Sequence, residues 1–197
     1  MKGKLLPLHR LGDAAASMSD EALLAATATG DLAALDALFE RFHVVVYRFL
    51  GRLAATDEAA HDDLVQATFL EARRGAKRFR GGSSVKTWLL GIAANLARHH
   101  LRGERRRREK HARYAEELHV VLEQPDEHIE RRELMREIAD ALANLPHAQR
   151  VAFVLCDLED ISGVEAARVV GVPQGTLWRR LHVARRAVRA AVEKATR

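Results

Sequence analysis

Apolar residues recur every three or four positions along most of this 197-residue chain, and glycines and prolines punctuate the rhythm. Ser19 stands before Asp20 and Glu21, an N-cap followed by acids that the helix dipole favours. "DEALLAATATG" therefore predicts a short helix ending at Gly30. Asp31 restarts the pattern, with Leu32, Leu35, Leu38, Phe39, Phe42, Val46, Phe49, Leu50 and Leu53 at helical spacing. Gly51 inside that run costs about 1 kcal/mol against alanine, so packing there must offset it. Thr56 or Asp57 can cap a third helix through "EAAHDDLVQATFLEARR", with Leu64, Ala67, Phe69 and Leu70 on its buried side. "GAKRFRGGSS" reads as a loop, because its glycines and serines oppose regular structure. Ser83 or Ser84 then caps "VKTWLLGIAANLARHHLR", whose apolar series is Val85, Trp88, Leu89, Ile92, Leu96 and Ala97.

From Gly103 onward the chain turns very polar and reads as a partly helical tether: "ERRRREKHARYAEE" can continue the preceding helix, while Gln124-Pro125-Asp126 breaks the chain. Periodicity returns near Glu130. "ELMREIADALANLP" is amphipathic and stops at Pro146, and "AQRVAFVLCDLED" follows as a second helix. Ser162 and Glu165 have capping-box spacing and open a short third helix through Val170. Gly171 suits a left-handed C-cap, Pro173 excludes continuation, and a fourth helix starts at Gln174. The expectation is an all-α protein of two small helical domains joined by a charged linker. The boundaries are an extension over 1–18, a first domain over 19–103, a linker over 104–129 and a second domain over 130–197.

Charge changes this picture because it is clustered. Arg102 to Arg113 holds six arginines and one lysine against two glutamates. Pro173 to Arg197 holds six arginines and one lysine against Glu193 alone. Between them, Tyr114 to Asp140 carries nine acids against three arginines. Two basic blocks and an acidic spacer point to two surfaces for a polyanion, against the plainer alternative of solvated helix faces. Cys156 is the single cysteine, so no intramolecular disulfide can form, and it sits in the apolar run "VAFVLC". The N-terminal stretch has no apolar core of signal-peptide length, and no stretch approaches a membrane span, so a cytoplasmic protein without membrane insertion is expected.

The short helix, glycine turn and basic helix after Ser162 form a helix-turn-helix signature. At 100° per residue, Leu177, Leu181, Ala184, Val188 and Val192 fall in one stripe. Arg179, His182 and Arg186 lie opposite it, with Arg185 and Arg189 on a flank, so guanidinium groups can face bases and phosphates. Gly175 and Thr176 stand at the helix start, where free N–H groups suit a phosphate. Trp178 lies about 85° from the stripe centre, neither core nor outward, and its ring should rest on the domain's edge.

Three stretches together resemble the ECF (extracytoplasmic function) group of bacterial sigma factors of the sigma-70 family. "DDLVQATFLEA" resembles the core-binding helix of conserved region 2. "RFRGGSSVKTWLLGIAANLARHHLR" resembles its promoter-melting segment, and "LPHAQRVAFVL" with "ISGVEAARVVGVPQGTLWRRLHVAR" resembles region 4. The resemblance spans about 20–103 and 130–192. It implies a transcription initiation factor that brings core RNA polymerase to promoters and helps melt the −10 element. Partners implied are the clamp helices of the largest polymerase subunit, the polymerase flap, promoter DNA and an anti-sigma factor.

The resemblance also implies roles for residues. Asp62, Asp63, Gln66 and Phe69 map onto the polymerase-binding face, although core packing is an equal claim on Phe69. Arg78, Phe79, Arg80, Asn95, Arg98 and His99 map onto the −10 surface, where an amide such as that of Asn95 can donate and accept at a base edge. Gly175, Thr176, Trp178, Arg179, Arg180, His182, Arg185 and Arg186 map onto the −35 helix. Trp88 is expected in the core. Ala166 and Ala167 stand where the family more often has Ile-Ala, and Trp178-Arg179 where it carries polar or basic readers, so no promoter sequence transfers.

Two other classes compete. A DNA-binding regulator that works without polymerase leaves "DDLVQATF" and the Arg-Phe loop unexplained. An enzyme is opposed by the lack of a phosphate loop, catalytic triad, zinc spacing or paired catalytic carboxylates in the sequence. No cofactor or metal is expected: no pairing of acids or cysteines at ligand spacing supports a site at His99 and His100, and His61 is likewise isolated.

Overall fold

The computed structural model describes residues 17–54, 57–110 and 129–195. Most of the 1–18 extension and of the 104–129 linker lie outside the described residues. Eight α-helices are present among the described residues, with no strand. They are α1 (Asp20–Ala28), α2 (Leu32–Leu53), α3 (Glu58–Gly75), α4 (Val85–Lys110), α5 (Ile129–Asn144), α6 (His147–Phe153), α7 (Gly163–Val170) and α8 (Gln174–Ala195).

The caps explain where the first helices begin. The Ser19 hydroxyl accepts from the Ala22 N–H, Asp31 accepts from Ala33 and Ala34, and Asp57 accepts from Ala60. Thus Asp57, not Thr56, caps α3. Ser84 is the residue that caps α4, its Oγ accepting from the Thr87 N–H at 3.0 Å.

The first domain is α1 to α4 around Leu23, Leu24, Leu38, Phe49, Leu50, Leu53, Leu89 and Leu90. Gly51 meets the edge of His61, whose Cε1 lies 3.3 Å from where a Cβ on Gly51 would stand. That close approach of α2 and α3 is the packing that offsets a mid-helix glycine.

The structure departs from the sequence expectation in places and extends it in others. The stretch 75–84 is not all loop: α3 runs to Gly75 and a 3₁₀ turn covers Ala76–Arg78. Ala76 is buried and Gly75 packs on the Trp88 ring, so tertiary contact overrides the local glycine signal. Helix α4 continues past 103 to Lys110, carrying Arg102, Arg105, Arg106, Arg107 and Arg108 of the first arginine block; Arg113 lies outside the described residues. Its buried apolar side chains are Val85, Leu89, Leu90, Ala93, Ala94 and Ala97, whereas Trp88, Ile92 and Leu96 are half-buried.

The second domain is α5 to α8. "AQRVAFVLCDLED" forms α6 and then a π-helical turn, Val154–Leu158, in place of one continuous helix. Ser162 caps α7 by accepting from the Glu165 N–H at 3.3 Å. Gly171 adopts φ +69, and the Val172 N–H donates to the Ala167 carbonyl at 3.0 Å, closing the C-terminal motif expected there. Leu177, Leu181 and Ala184 bury the stripe of α8 against α5, α6 and α7.

Nearly all the buried apolar residues of both domains join in one cluster, from Leu23 to Ala184. The contact between domains is made by α4 with α7, and by α2 with α6 and the π turn.

Candidate DNA- and polymerase-facing surfaces

Asp62, Asp63 and Gln66 are exposed along α3. Phe69 is buried and sets its ring edge-on against Phe39, with centroids 4.9 Å apart. The same phenyl floors a groove of about 250 Å³ lined by Leu32, Leu35, Asp36, Phe39, Gln66 and Leu70. Leu32 and Leu70 are among the large apolar residues left exposed. The two readings of Phe69 therefore meet in one place, a core ring beneath an open apolar groove with the Asp36 carboxylate at its lining. By spacing, Leu32, Leu35 and Phe39 belong to α2's own buried stripe, and nothing in that spacing marks them as a groove wall.

His61, set aside as isolated, ties α2 to α3. Its Nε2 donates to the Tyr47 carbonyl at 2.9 Å, and its ring lies 4.2 Å from the Tyr47 ring.

Arg78 and Arg80 are exposed on the turn and loop before α4, and Phe79 packs edge-on against Trp88 at 5.4 Å. Arg98 and His99 are exposed on α4, and Asn95 is half-buried. Asn95 opens into a cleft of about 170 Å³ between the domains, walled by Arg98 and Arg102 of α4, His147 and Val151 of α6, and Arg180 of α8. Asn95, which the resemblance maps onto the −10 surface, and Arg180, which it maps onto the −35 helix, thus share one cleft, which spacing along the chain does not reveal.

His147 Nε2 donates to the Ala94 carbonyl at 3.2 Å, which leaves Nδ1 buried without a partner. Burial holds its pKa down at about 4; the bond to Ala94 opposes this, and Arg150, Arg98 and Arg102 add to it. Arg150 is buried and donates to the carbonyls of Leu53 (2.6 Å), Ala143 (2.6 Å) and Leu145 (3.0 Å). Its burial lowers its pKa to about 10, so it remains a cation at neutral pH.

On α8, Arg179, His182 and Arg186 are exposed on the side away from Leu177, Leu181 and Ala184. Arg180 turns partly inward to the cleft. Arg185 is not a free cation: it grips Asp157 of the π turn, with Nη2 at 2.6 Å and Nε at 2.9 Å from the two oxygens. That pairing raises the Arg185 pKa. Gly175 is exposed, but the Thr176 N–H donates to the Pro173 carbonyl at 2.9 Å and is not available to a phosphate. Trp178 is 45% exposed and lies over Gly163 at the start of α7.

No group of three or more metal-ligating side chains occurs among the described residues, and no described helix is long and apolar enough to cross a membrane.

The two helical units match two family models in order: Sigma-70 region 2 over residues 38–107 and Sigma-70 region 4 over residues 135–188. The ECF RNA polymerase sigma factor SigC of Mycobacterium tuberculosis (strain CDC 1551 / Oshkosh) is 36% identical over 182 residues, covering 91% of this chain and 96% of that protein. The chain belongs to the ECF sigma-70 family. Within that family, the ECF RNA polymerase sigma-E factor of Haemophilus influenzae is 29% identical, covering 91% of this chain and 98% of its own length. A solved chain from the structure of CnrH in complex with the cytosolic domain of CnrY superposes with a TM-score of 0.63. It is 25% identical and covers 89% of this chain and 97% of that one. This sigma factor is accordingly a transcription initiation factor and not an enzyme.

Proposed function

We propose that this sigma factor binds core RNA polymerase, directs it to promoters with particular −35 and −10 elements, and helps melt the −10 element. The observation that carries the reading is the two-sidedness of α8, which buries Leu177, Leu181 and Ala184 and offers Arg179, His182 and Arg186 to solvent. Such a helix can seat in a major groove with guanidinium groups at base edges and phosphates. Gly175, Thr176, Trp178, Arg180 and Arg185 frame it, with Trp178 set toward the backbone or a thymine methyl. The domains are taken as 19–103 for region 2, 104–129 for the linker and 130–197 for region 4.

Asp62, Asp63, Gln66 and the groove over Phe69 form the face for the largest subunit's clamp helices, where carboxylates beside an apolar trough suit a basic, partly hydrophobic helix. Region 4 meets the flap. Arg78, Phe79, Arg80, Asn95, Arg98 and His99 hold the unstacked non-template strand, whose extrusion costs a few kcal/mol that these contacts must offset. The protein works in the cytoplasm under an anti-sigma factor. Family membership supports that last role, and the solved CnrH was captured with a second protein, CnrY.

A pull-down with purified core polymerase, followed by run-off transcription from genomic fragments, tests the reading. Binding and specific transcripts are expected. If the chain neither binds core nor directs transcription, the proposal fails. Asn95→Ala should impair open-complex formation while core binding persists; loss of core binding would assign Asn95 to folding instead.

A further inference from the structure

We infer that the cleft walled by α4, α6 and α8 is a binding site for a small phosphate anion of the diphosphate class, free or as the head of a small organic phosphate. This binding goes beyond the proposed function and does not depend on it.

The lining carries the argument. Asn95, Arg98 and Arg102 follow one another at i, i+3 and i+7 on α4, so one face of the helix turns all three toward the cleft. Arg180 of α8 and His147 of α6 close it from the other side. No carboxylate belongs to this lining, and none of its three arginines forms an ion pair among the described residues. Other cations on the same two helices are matched. Lys86 of α4 meets Glu159 at 2.9 Å, and Arg185 of α8 holds Asp157 at 2.6 Å.

Three unmatched guanidinium groups around one space repel one another. Like charges at i, i+4 on a helix, as Arg98 and Arg102 are, oppose each other already, and Arg180 brings a third from α8. Their field reaches the wall of the cleft: burial lowers the His147 pKa first, and Arg150, Arg98 and Arg102 lower it further. An anion seated among these groups turns repulsion into charge-assisted bonds, and the planar fork of arginine matches phosphate oxygens. The Asn95 amide adds an uncharged donor.

Size decides between kinds of phosphate. A cleft of about 170 Å³ lies below the roughly 300–1,000 Å³ of pockets that enclose a whole drug-sized molecule, so it fits a headgroup. A nucleic-acid strand carries a sugar and a base beside every phosphate and is too bulky for this space. Val151 and Leu177, both buried, give the cleft an apolar side on which the organic part of a phosphate ester can rest. An anion there occupies Asn95 and Arg98, so it should compete with the −10 strand. That competition rests on the proposed function, whereas the binding does not.

Titration calorimetry of the full chain with inorganic diphosphate at fixed ionic strength tests the site. One site per chain is expected. Arg102→Gln and Arg180→Gln should each weaken binding about tenfold or more, as for loss of a hydrogen bond to a charged group. Arg73→Gln, exposed on α3 and outside the cleft, should bind as the wild type does. No binding by the wild type, or equal losses in all three variants, overturns the inference. If Arg180→Gln, half-buried, loses helix by circular dichroism, the exposed Arg102→Gln decides alone, and wild-type affinity in it overturns the inference. A single-stranded oligodeoxynucleotide that binds through Arg102 and Arg180 while diphosphate does not bind assigns the cleft to a nucleic-acid backbone and overturns it equally. A chain that binds diphosphate but directs no transcription with core polymerase leaves the site standing and sinks the functional reading. One that transcribes but ignores diphosphate does the opposite.

Discussion

Trp178 lies across Gly163 so closely that a Cβ at Gly163 would stand 2.6 Å from Trp178 Cζ2. The contact joins the start of α7 to the first turn of α8 and fixes the angle between the two helices of the helix-turn-helix. Gly163→Ala must push the indole off this seat, at a cost of about 1–3 kcal/mol for overpacking. Thermal melts and tryptophan emission, read in a Trp88→Phe background, should show lower stability and a more solvated indole. Trp178→Ala should make the alanine at 163 nearly neutral in a double-mutant cycle; additive losses would show that the two residues are not coupled.

Acid should weaken the folded chain through His147. Burial holds its folded pKa at about 4, below the unfolded value of 6.5, so the unfolded state binds the extra proton. Stability from this group is complete above about pH 6.5 and declines as pH falls toward 4, where the loss levels off. At pH 5 the loss amounts to about 2 kcal/mol, from about 1.4 kcal/mol per pH unit. The charged groups around the ring are Arg98, Arg102 and Arg150, none of which changes charge in that window. Denaturation midpoints between pH 7 and 5 should fall in the wild type and fall less in His147→Asn. Equal slopes would remove His147 from the effect.

Much of this arrangement was legible in the chain itself, because local physics decides it. Ser19, Asp31 and Ser162 cap helices through their own side chains, and Gly171 takes the left-handed turn its position suggests. The α8 stripe follows from a period of 3.6, and Trp178 sits on the domain edge because its angle puts it there. What stayed hidden depends on partners distant in sequence. Glu165 reads as half of a capping box but reaches Ser84, 81 positions away. Arg185 counts toward a basic face until Asp157, brought round by the π turn, engages it. Ala93 and Ala94 of α4 are buried where the strict stripe does not place them, since α4 is covered on one side by α3 and on another by α7.

His61 is expected to matter for stability although it is neither ligand nor catalyst. Its Nε2 donates to the Tyr47 carbonyl, and its edge fills the space beside Gly51. His61→Ala removes the donor and leaves a void between α2 and α3, for a loss of about 1–3 kcal/mol. Urea unfolding should show it, and a midpoint equal to wild type would mean the helices close over the gap.

The two neighbouring arginines on α8 should behave differently toward DNA. Arg186 is exposed and directed outward, whereas Arg185 is held in a two-pronged bond by Asp157. If Arg186 meets a phosphate, Arg186→Ala lowers the slope of log affinity against log salt by about one unit. Arg185→Ala should change that slope less, because much of the positive field of Arg185 is already spent on the carboxylate. It also releases Asp157 as an unpaired negative charge beside the DNA, which weakens binding at low salt through repulsion. Asp157→Asn should do the reverse, freeing Arg185 and steepening the salt slope. Titrations of duplex DNA against the three variants at several salt concentrations separate these effects. An Asp157→Asn slope equal to wild type would show that Arg185 does not reach the backbone even when released.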